Sequence, residues 1–376
     1  MENTADVRRI HMAADEYSKT PLVKLNEIAA MLGVRAVYVK DESQRFGLKA
    51  FKGLGGLYAL FRTVCDRLGL DPNTTSFEDL KSEKLRPLVS KMVFVTATDG
   101  NHGKGVAWAA AKLGCSSHVY MPKGSVEVRA QAIRDAGNAE VVITDLSYDD
   151  AVRLSNEKAE KYGWILVQDT SWDGYEDIPS YILKGYTTMA HEAADQLDEQ
   201  GAVPTHVFLQ AGVGAMAGGV TGYLRSRYVS HPPVITTVEP TEVACIFESA
   251  AHSDGKPYAA TGNGETIMAG LNCGEPCTIG WNILRDHADF YVKCPDWVSA
   301  HGMRMLSREG VVSGESGAVT AGLVSMLSFM EFADIKEKLG LNSESVVLLF
   351  STEGDTDPAN YGDIVFGNKY PVPELD

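Results

Sequence analysis

Phe46-Gly47-Leu48-Lys49-Ala50-Phe51-Lys52-Gly53, with Gly55 and Gly56 close behind, sets a lysine after a small and an aromatic residue at the mouth of a glycine-punctuated helix. Burial in such company disfavours the ammonium and lowers the lysine's pKa, and the neutral amine can then form an imine with an aldehyde. A lysine taken alone is more often a solvated surface residue. Two further stretches change that weighing. Thr96-Ala97-Thr98-Asp99-Gly100-Asn101-His102-Gly103 follows the apolar run Met92 to Val95 and opens the helical pattern Val106 to Leu113. Ala211-Gly212-Val213-Gly214-Ala215-Met216-Ala217-Gly218-Gly219 follows the strand-like His206 to Leu209. A phosphate needs several convergent backbone N–H donors. Glycines let the backbone approach it, and a following helix adds its positive dipole end, a need that Gly212 to Met216 meets.

With these three stretches together, the chain resembles the fold type II pyridoxal-phosphate enzymes, among them threonine and serine dehydratases, serine racemase, cysteine synthase and the tryptophan synthase β chain. The resemblance runs from Thr20-Pro21-Leu22 to about Asp357. It implies pyridoxal 5'-phosphate as cofactor, Lys52 as the imine-forming lysine, and Gly212, Val213, Gly214, Ala215 and Met216 as the phosphate loop. It also makes Asn101 the asparagine that hydrogen-bonds the cofactor's ring hydroxyl, although an asparagine in such a stretch reads equally as a turn or helix cap. His102 reads as structural. Near the carboxyl end, Ser351-Thr352-Glu353-Gly354-Asp355-Thr356-Asp357 follows the apolar strand Val346 to Phe350 and resembles the segment whose serine or threonine faces the pyridine nitrogen. Ser351 is the first choice for that place and Thr352 the alternative, against a plain loop serine. A neutral hydroxyl there leaves the nitrogen largely unprotonated, which favours elimination over transamination.

Gly212 to Ala217 also fits the dinucleotide pattern G-x-G-x-x-G/A, with Glu239 at the end of the next strand as a possible ribose-binding acid. A nicotinamide dehydrogenase, or a nucleotide-binding module without chemistry, is therefore the rival from another class. It leaves the Lys52 and Asn101 stretches unexplained.

The 376 residues, 44% hydrophobic, suffice for one large domain or two modest ones. With 50 acidic and 34 basic residues the formal charge is −16, which argues against a nucleic-acid or anionic-membrane surface. Met1 to Arg9 lacks the apolar core of a signal peptide, and no apolar run approaches the about 20 residues that span a bilayer. A cytoplasmic protein is expected. The six cysteines are sparse, and Cys273-Gly274-Glu275-Pro276-Cys277 has no second Cys/His pair with which to hold a metal. No metal is expected, while a disulfide involving Cys245 or Cys273 stays open.

Short β-type runs at Ala36 to Val39, Met92 to Thr96, His118 to Met121, Val141 to Thr144, Ile165 to Gln168, Val207 to Gln210, Val234 to Val238 and Val346 to Phe350 alternate with amphipathic stretches. The latter include Val126 to Asp135, Tyr148 to Tyr162, Ile182 to Leu197 and Ala318 to Phe332. The alternation predicts an α/β fold with largely parallel sheets. Asp71 to Pro87 reads as a polar linker. The resemblance implies a small α/β domain inserted in a larger one with the cofactor between them, placed here at residues 85–169 against 1–84 and 170–376.

The resemblance also discriminates among members. Dehydratases show a small residue where this chain has Asp99, and serine racemases a serine. An acidic residue there suits a substrate with a second ammonium, which a carboxylate holds protonated so that it leaves as neutral ammonia. Asp169, at the end of another apolar run, supplies a second carboxylate or caps a helix. With Phe46 to Gly56 and Thr266 to Gly274, these segments are similar to diaminopropionate ammonia-lyase, a family that converts 2,3-diaminopropionate to pyruvate and two ammonia molecules, commonly as a homodimer. The implied order is imine exchange at Lys52, loss of the Cα proton, expulsion of the β-amine and hydrolysis of aminoacrylate. A serine or threonine dehydratase is the alternative.

Overall fold

The computed structural model describes residues 4–98 and 100–374. In chain order its strands are β1 (Leu22–Lys24), β2 (Ala36–Asp41), β3 (Val93–Ala97), β4 (Ser116–Met121), β5 (Glu140–Ile143), β6 (Ile165–Leu166), β7 (His206–Gln210), β8 (Val234–Pro240), β9 (Phe290–Cys294) and β10 (Val346–Ser351). They form a six-stranded sheet of order β1-β2-β10-β7-β8-β9 and a four-stranded sheet of order β5-β4-β3-β6. Every pairing is parallel except that of β1 with β2, the antiparallel edge. β7 and β10 are buried at every residue, as parallel strands covered on both faces must be.

Two compact units divide the chain. One holds 1–18, 45–188 and 277–279, and the other holds 19–44, 189–276 and 280–376. The first unit is wider than the 85–169 segment expected from sequence. Part of its extra width is the helix Lys52–Leu68, which packs against the helix Asn101–Leu113 with the two backbones in contact. A Cβ on Gly56 would lie 2.8 Å from the Gly105 carbonyl oxygen, and one on Gly105 would lie 2.9 Å from the Lys52 carbonyl carbon. Glycine at both places is a packing requirement. The first unit's sheet is cored by Val119, Met121, Ala107, Ala130 and Ile133, and the second unit's by Val37, Val347 and Leu349 with helix residues such as Met303, Val319 and Val324.

Four local expectations change. β1 and β9 were not predicted, since three residues carry no period and Phe290–Cys294 is a half-covered edge strand. Ile165 to Gln168 forms only two strand residues. The expected Ala318 to Phe332 helix spans Glu315–Met326. Near its end the Ser325 and Ser328 hydroxyls donate to the Gly322 and Ser325 carbonyls at 2.8 and 2.7 Å, competing for helix acceptors. Within Asp71 to Pro87, Ser76 and Asp79 close a reciprocal cap on the short helix Phe77–Leu80, so that stretch is more than a linker.

Candidate active site

In the first unit, Lys52 is the opening residue of its helix, and the glycine contact fixes its backbone against the helix that Asn101 opens. The Lys52 ammonium forms an ion pair and hydrogen bond with the Asp169 carboxylate. It also lies 5.4 Å from the centre of the Phe51 ring and 6.0 Å from that of Tyr186. Asp169 is 5% exposed, so it is not a surface aspartate. Asp99 lies outside the described residues.

Gln168 explains how Asp169 is held. Its side-chain oxygen accepts from Thr96 Oγ1 at 3.0 Å and Ala97 N at 3.1 Å, and its nitrogen donates to Ala97 O at 3.1 Å and Tyr148 Oη at 2.9 Å. One buried amide thus replaces the ladder bonds that a longer β6 would have made, and it ties the residue before Asp169 to β3. On the facing turn, Thr98 Oγ1 accepts from Gly100 N at 2.9 Å and Gly103 N at 3.1 Å, bending the chain just before Asn101. His102 Nε2 donates to Val167 O at 2.9 Å, leaving Nδ1 buried 3.8 Å from Asp169 without a hydrogen-bond partner among the described residues. The Tyr186 hydroxyl is likewise buried and unpartnered there.

Burial alone would raise the Asp169 carboxyl. The positive charges of His102 and Lys52, and the Lys52 hydrogen bond, outweigh it and hold the group at about 2. His102 itself is pushed below its ordinary value by burial, with Asp169 pulling upward and Lys52 downward.

In the second unit, Gly214 takes φ +88° as the residue before the helix Ala215–Arg227. A Cβ there would lie 2.8 Å from Ile246 Cδ1, and one on Gly212 would lie 3.1 Å from Leu271 Cα. Val213, Ala215 and Met216 are buried. The first amides of a helix have no intrahelical acceptor, so this loop presents buried donors of the kind a phosphate needs. Glu239 is not available to a ribose. Its two carboxylate oxygens accept from Ile246 N at 2.8 Å and Phe247 N at 2.6 Å at the start of the helix Cys245–His252. Burial pushes it up to about 8 against the pull of those two amides.

At the end of β10, the fully buried Ser351 hydroxyl donates to Ser313 Oγ at 2.7 Å, and Thr352 Oγ1 accepts from Gln210 Nε2 at 2.9 Å. Gln168, Gln210, Ser313 and Tyr186 have no counterpart in the sequence reading. Glutamines at strand ends carry no motif, and their role depends on which strand lies next to them. All six cysteines are thiols. Among the described residues no group of three or more His, Cys, Asp or Glu side chains is arranged to hold a metal, and no single helix is long and apolar enough to cross a membrane.

In the first unit an amine at a helix start beside orphaned polar atoms on His102 and Tyr186 suits the aldehyde end of pyridoxal phosphate; in the second, a glycine-edged cradle of buried amides that a Cβ would fill suits its phosphate. The family comparison agrees: the chain belongs to the pyridoxal-phosphate-dependent enzymes, matched over residues 13–352. Within that family it falls with the diaminopropionate ammonia-lyases. It is 47% identical over 372 residues to the diaminopropionate ammonia-lyase of Salmonella typhimurium, covering 97% of this chain and 92% of that one. The crystal structure of the Escherichia coli diaminopropionate ammonia-lyase in complex with D-serine superposes with a TM-score of 0.91 at 46% identity, over 98% of this chain and 93% of the other. The E. coli enzyme in complex with an aminoacrylate-PLP azomethine reaction intermediate gives a TM-score of 0.89 at 45% identity, over 98% and 92%.

Proposed function

We propose that this protein is a carbon–nitrogen lyase that converts 2,3-diaminopropionate, in both D and L forms, to pyruvate and two molecules of ammonia. The observation that carries this reading is the buried Asp169 carboxylate paired with Lys52. Once Lys52 is neutral, Asp169 is a buried anion without its cation, an expensive state unless another cation arrives. A β-ammonium on the substrate supplies that charge, whereas the hydroxyl of serine or threonine does not. Geometry thus favours the diamine over the dehydratase alternative, and the engaged Glu239 removes the acid that a dinucleotide site would use.

Bound pyridoxal phosphate supplies an aldehyde for amines and a ring that takes up the electron pair left at Cα. Lys52 would hold the cofactor's aldehyde at rest, and as a free amine it would take a Cα proton from its own face. Asp99 is our choice for the proton of the opposite enantiomer. Asp169 holds the β-ammonium protonated until it departs. Asn101 takes the ring hydroxyl, and the amides of Gly212, Val213, Gly214, Ala215 and Met216 take the phosphate. Ser351 or Thr352 meets the ring nitrogen. We read the enzyme as a homodimer, as its resemblance to the family implies, and as cytoplasmic, from its polar amino terminus and lack of a long apolar run. A steady-state assay of pyruvate from diaminopropionate and from serine, with 2-oxobutyrate from threonine, tests the assignment. Preference for serine or threonine would replace it with a dehydratase.

A further inference from the structure

Tyr186 reaches the Lys52 face of its helix because Gly55 leaves room for it. Gly55 lies three residues after Lys52 in the helix Lys52–Leu68, hence on the same face. A Cβ on Gly55 would lie 2.7 Å from Tyr186 Cε1 and 2.9 Å from its Cζ, the atom that bears the hydroxyl. The Phe51 ring packs against the Tyr186 ring at 4.7 Å between centres, tilted by 51°. So held, Tyr186 is fully buried, with the Lys52 ammonium 6.0 Å from its ring centre. Its hydroxyl has no hydrogen-bond partner among the described residues. Burial pushes the phenol well above its ordinary value, while Lys52 pulls it down and Asp169 and Cys277 raise it. It is a neutral group set beside the charges of Lys52 and Asp169.

A buried hydroxyl without a partner is costly, and at an active site the missing partner is a ligand atom. That atom is an acceptor on an anionic group or the N–H of a cation. The Asp169 carboxylate is buried and ionised, so an anion beside it is repelled and a cation attracted. At rest the cation is Lys52. An ammonium carries three N–H donors, and Asp169 takes one of them from Lys52. Once Lys52 holds the cofactor's aldehyde, the substrate's β-ammonium brings the same three donors to the same surroundings. A serine hydroxyl brings one donor and no charge, and hydrogen bonds to ions are about twice as strong as neutral ones.

We propose that Tyr186 is a specificity-determining residue: its hydroxyl oxygen accepts a hydrogen bond from the substrate's β-ammonium beside Asp169, and so favours a diamine over a hydroxy amino acid. The proposal rests on the reading of the protein as a diaminopropionate lyase.

Tyr186→Phe keeps the ring on Gly55 and removes only the hydroxyl. In the holoenzyme the preference for L-diaminopropionate over L-serine, taken as a ratio of kcat/KM values, should fall about five-fold, the difference between a hydrogen bond to an ion and one to a neutral group. Binding is read separately from turnover. On rapid mixing, the concentration of L-diaminopropionate that half-saturates the visible spectral change should rise, while that of L-alanine, which has no polar group on Cβ, should not move. If Tyr186→Phe does not fold by circular dichroism, Gly55→Ala, which sets a Cβ against the ring and displaces the hydroxyl, carries the same prediction. Equal losses on diaminopropionate and serine would overturn the proposal, as would a variant indistinguishable from wild type. Weaker cofactor binding with an unchanged preference would assign the hydroxyl to the cofactor and overturn it too. A wild type that does not prefer diaminopropionate to serine would instead refute the underlying reading, which keeps the two failures apart.

Discussion

Lys52 and Asp169 are each ambiguous in the sequence, and each is explained by the other. The lysine looks like any surface lysine and the aspartate like any helix cap until one ion pair joins them. Lys52→Ala should fold, should show no visible absorbance after incubation with pyridoxal phosphate and dialysis, and should take up no cofactor mass on borohydride treatment. Asp169, held at about 2 against an ordinary 3.8, contributes stability that is complete above about pH 4 and is lost as pH falls toward 2. The shift corresponds to about 2 kcal/mol. Urea midpoints of cofactor-free wild type and Asp169→Asn should therefore converge over that interval, and midpoints that stay parallel would remove the ion pair from the stability of the unit. Asp99→Asn should lose activity on D-diaminopropionate far more than on the L isomer if Asp99 is the opposite-face base. Equal losses would leave it the lesser task of holding the β-ammonium.

Elements were legible where period and punctuation agreed. Tyr148–Tyr162 matches its predicted helix residue for residue, because Ser147 caps it and Gly163 ends it with φ +69°. β6 is shorter than its apolar run, because past the Val167 N to Val95 O bond at 2.8 Å its continuation is held by the Gln168 side chain. The glycine loop was read for its approach to a phosphate, but the structure adds a second demand at Gly214. A side chain there meets both the left-handed backbone, worth about 1–2 kcal/mol, and Ile246. Gly214→Val should accordingly raise the dissociation constant for pyridoxal phosphate by more than ten-fold, checked by fluorescence titration against a circular dichroism spectrum that confirms folding. Unchanged affinity would move the phosphate elsewhere.

At the scale of the whole molecule, strand–helix alternation reveals two parallel layers, while the limits of the compact units stay hidden. Membership of a unit depends on contacts such as Gly56 on Gly105, between residues far apart in the chain. Assembly belongs to this scale too. Sedimentation equilibrium should report twice the 40.7 kDa chain mass at micromolar concentration, and a single-chain mass would refute the dimer. The glycine contact also bears on motion. Main chain rests on main chain there, so no layer of side chains lies between the Lys52 helix and the Asn101 helix that could change rotamer and let one slide past the other. Whatever shifts as substrate enters and product leaves, these two helices travel as a single rigid part, and the backbones that carry Lys52 and Asn101 keep their spacing.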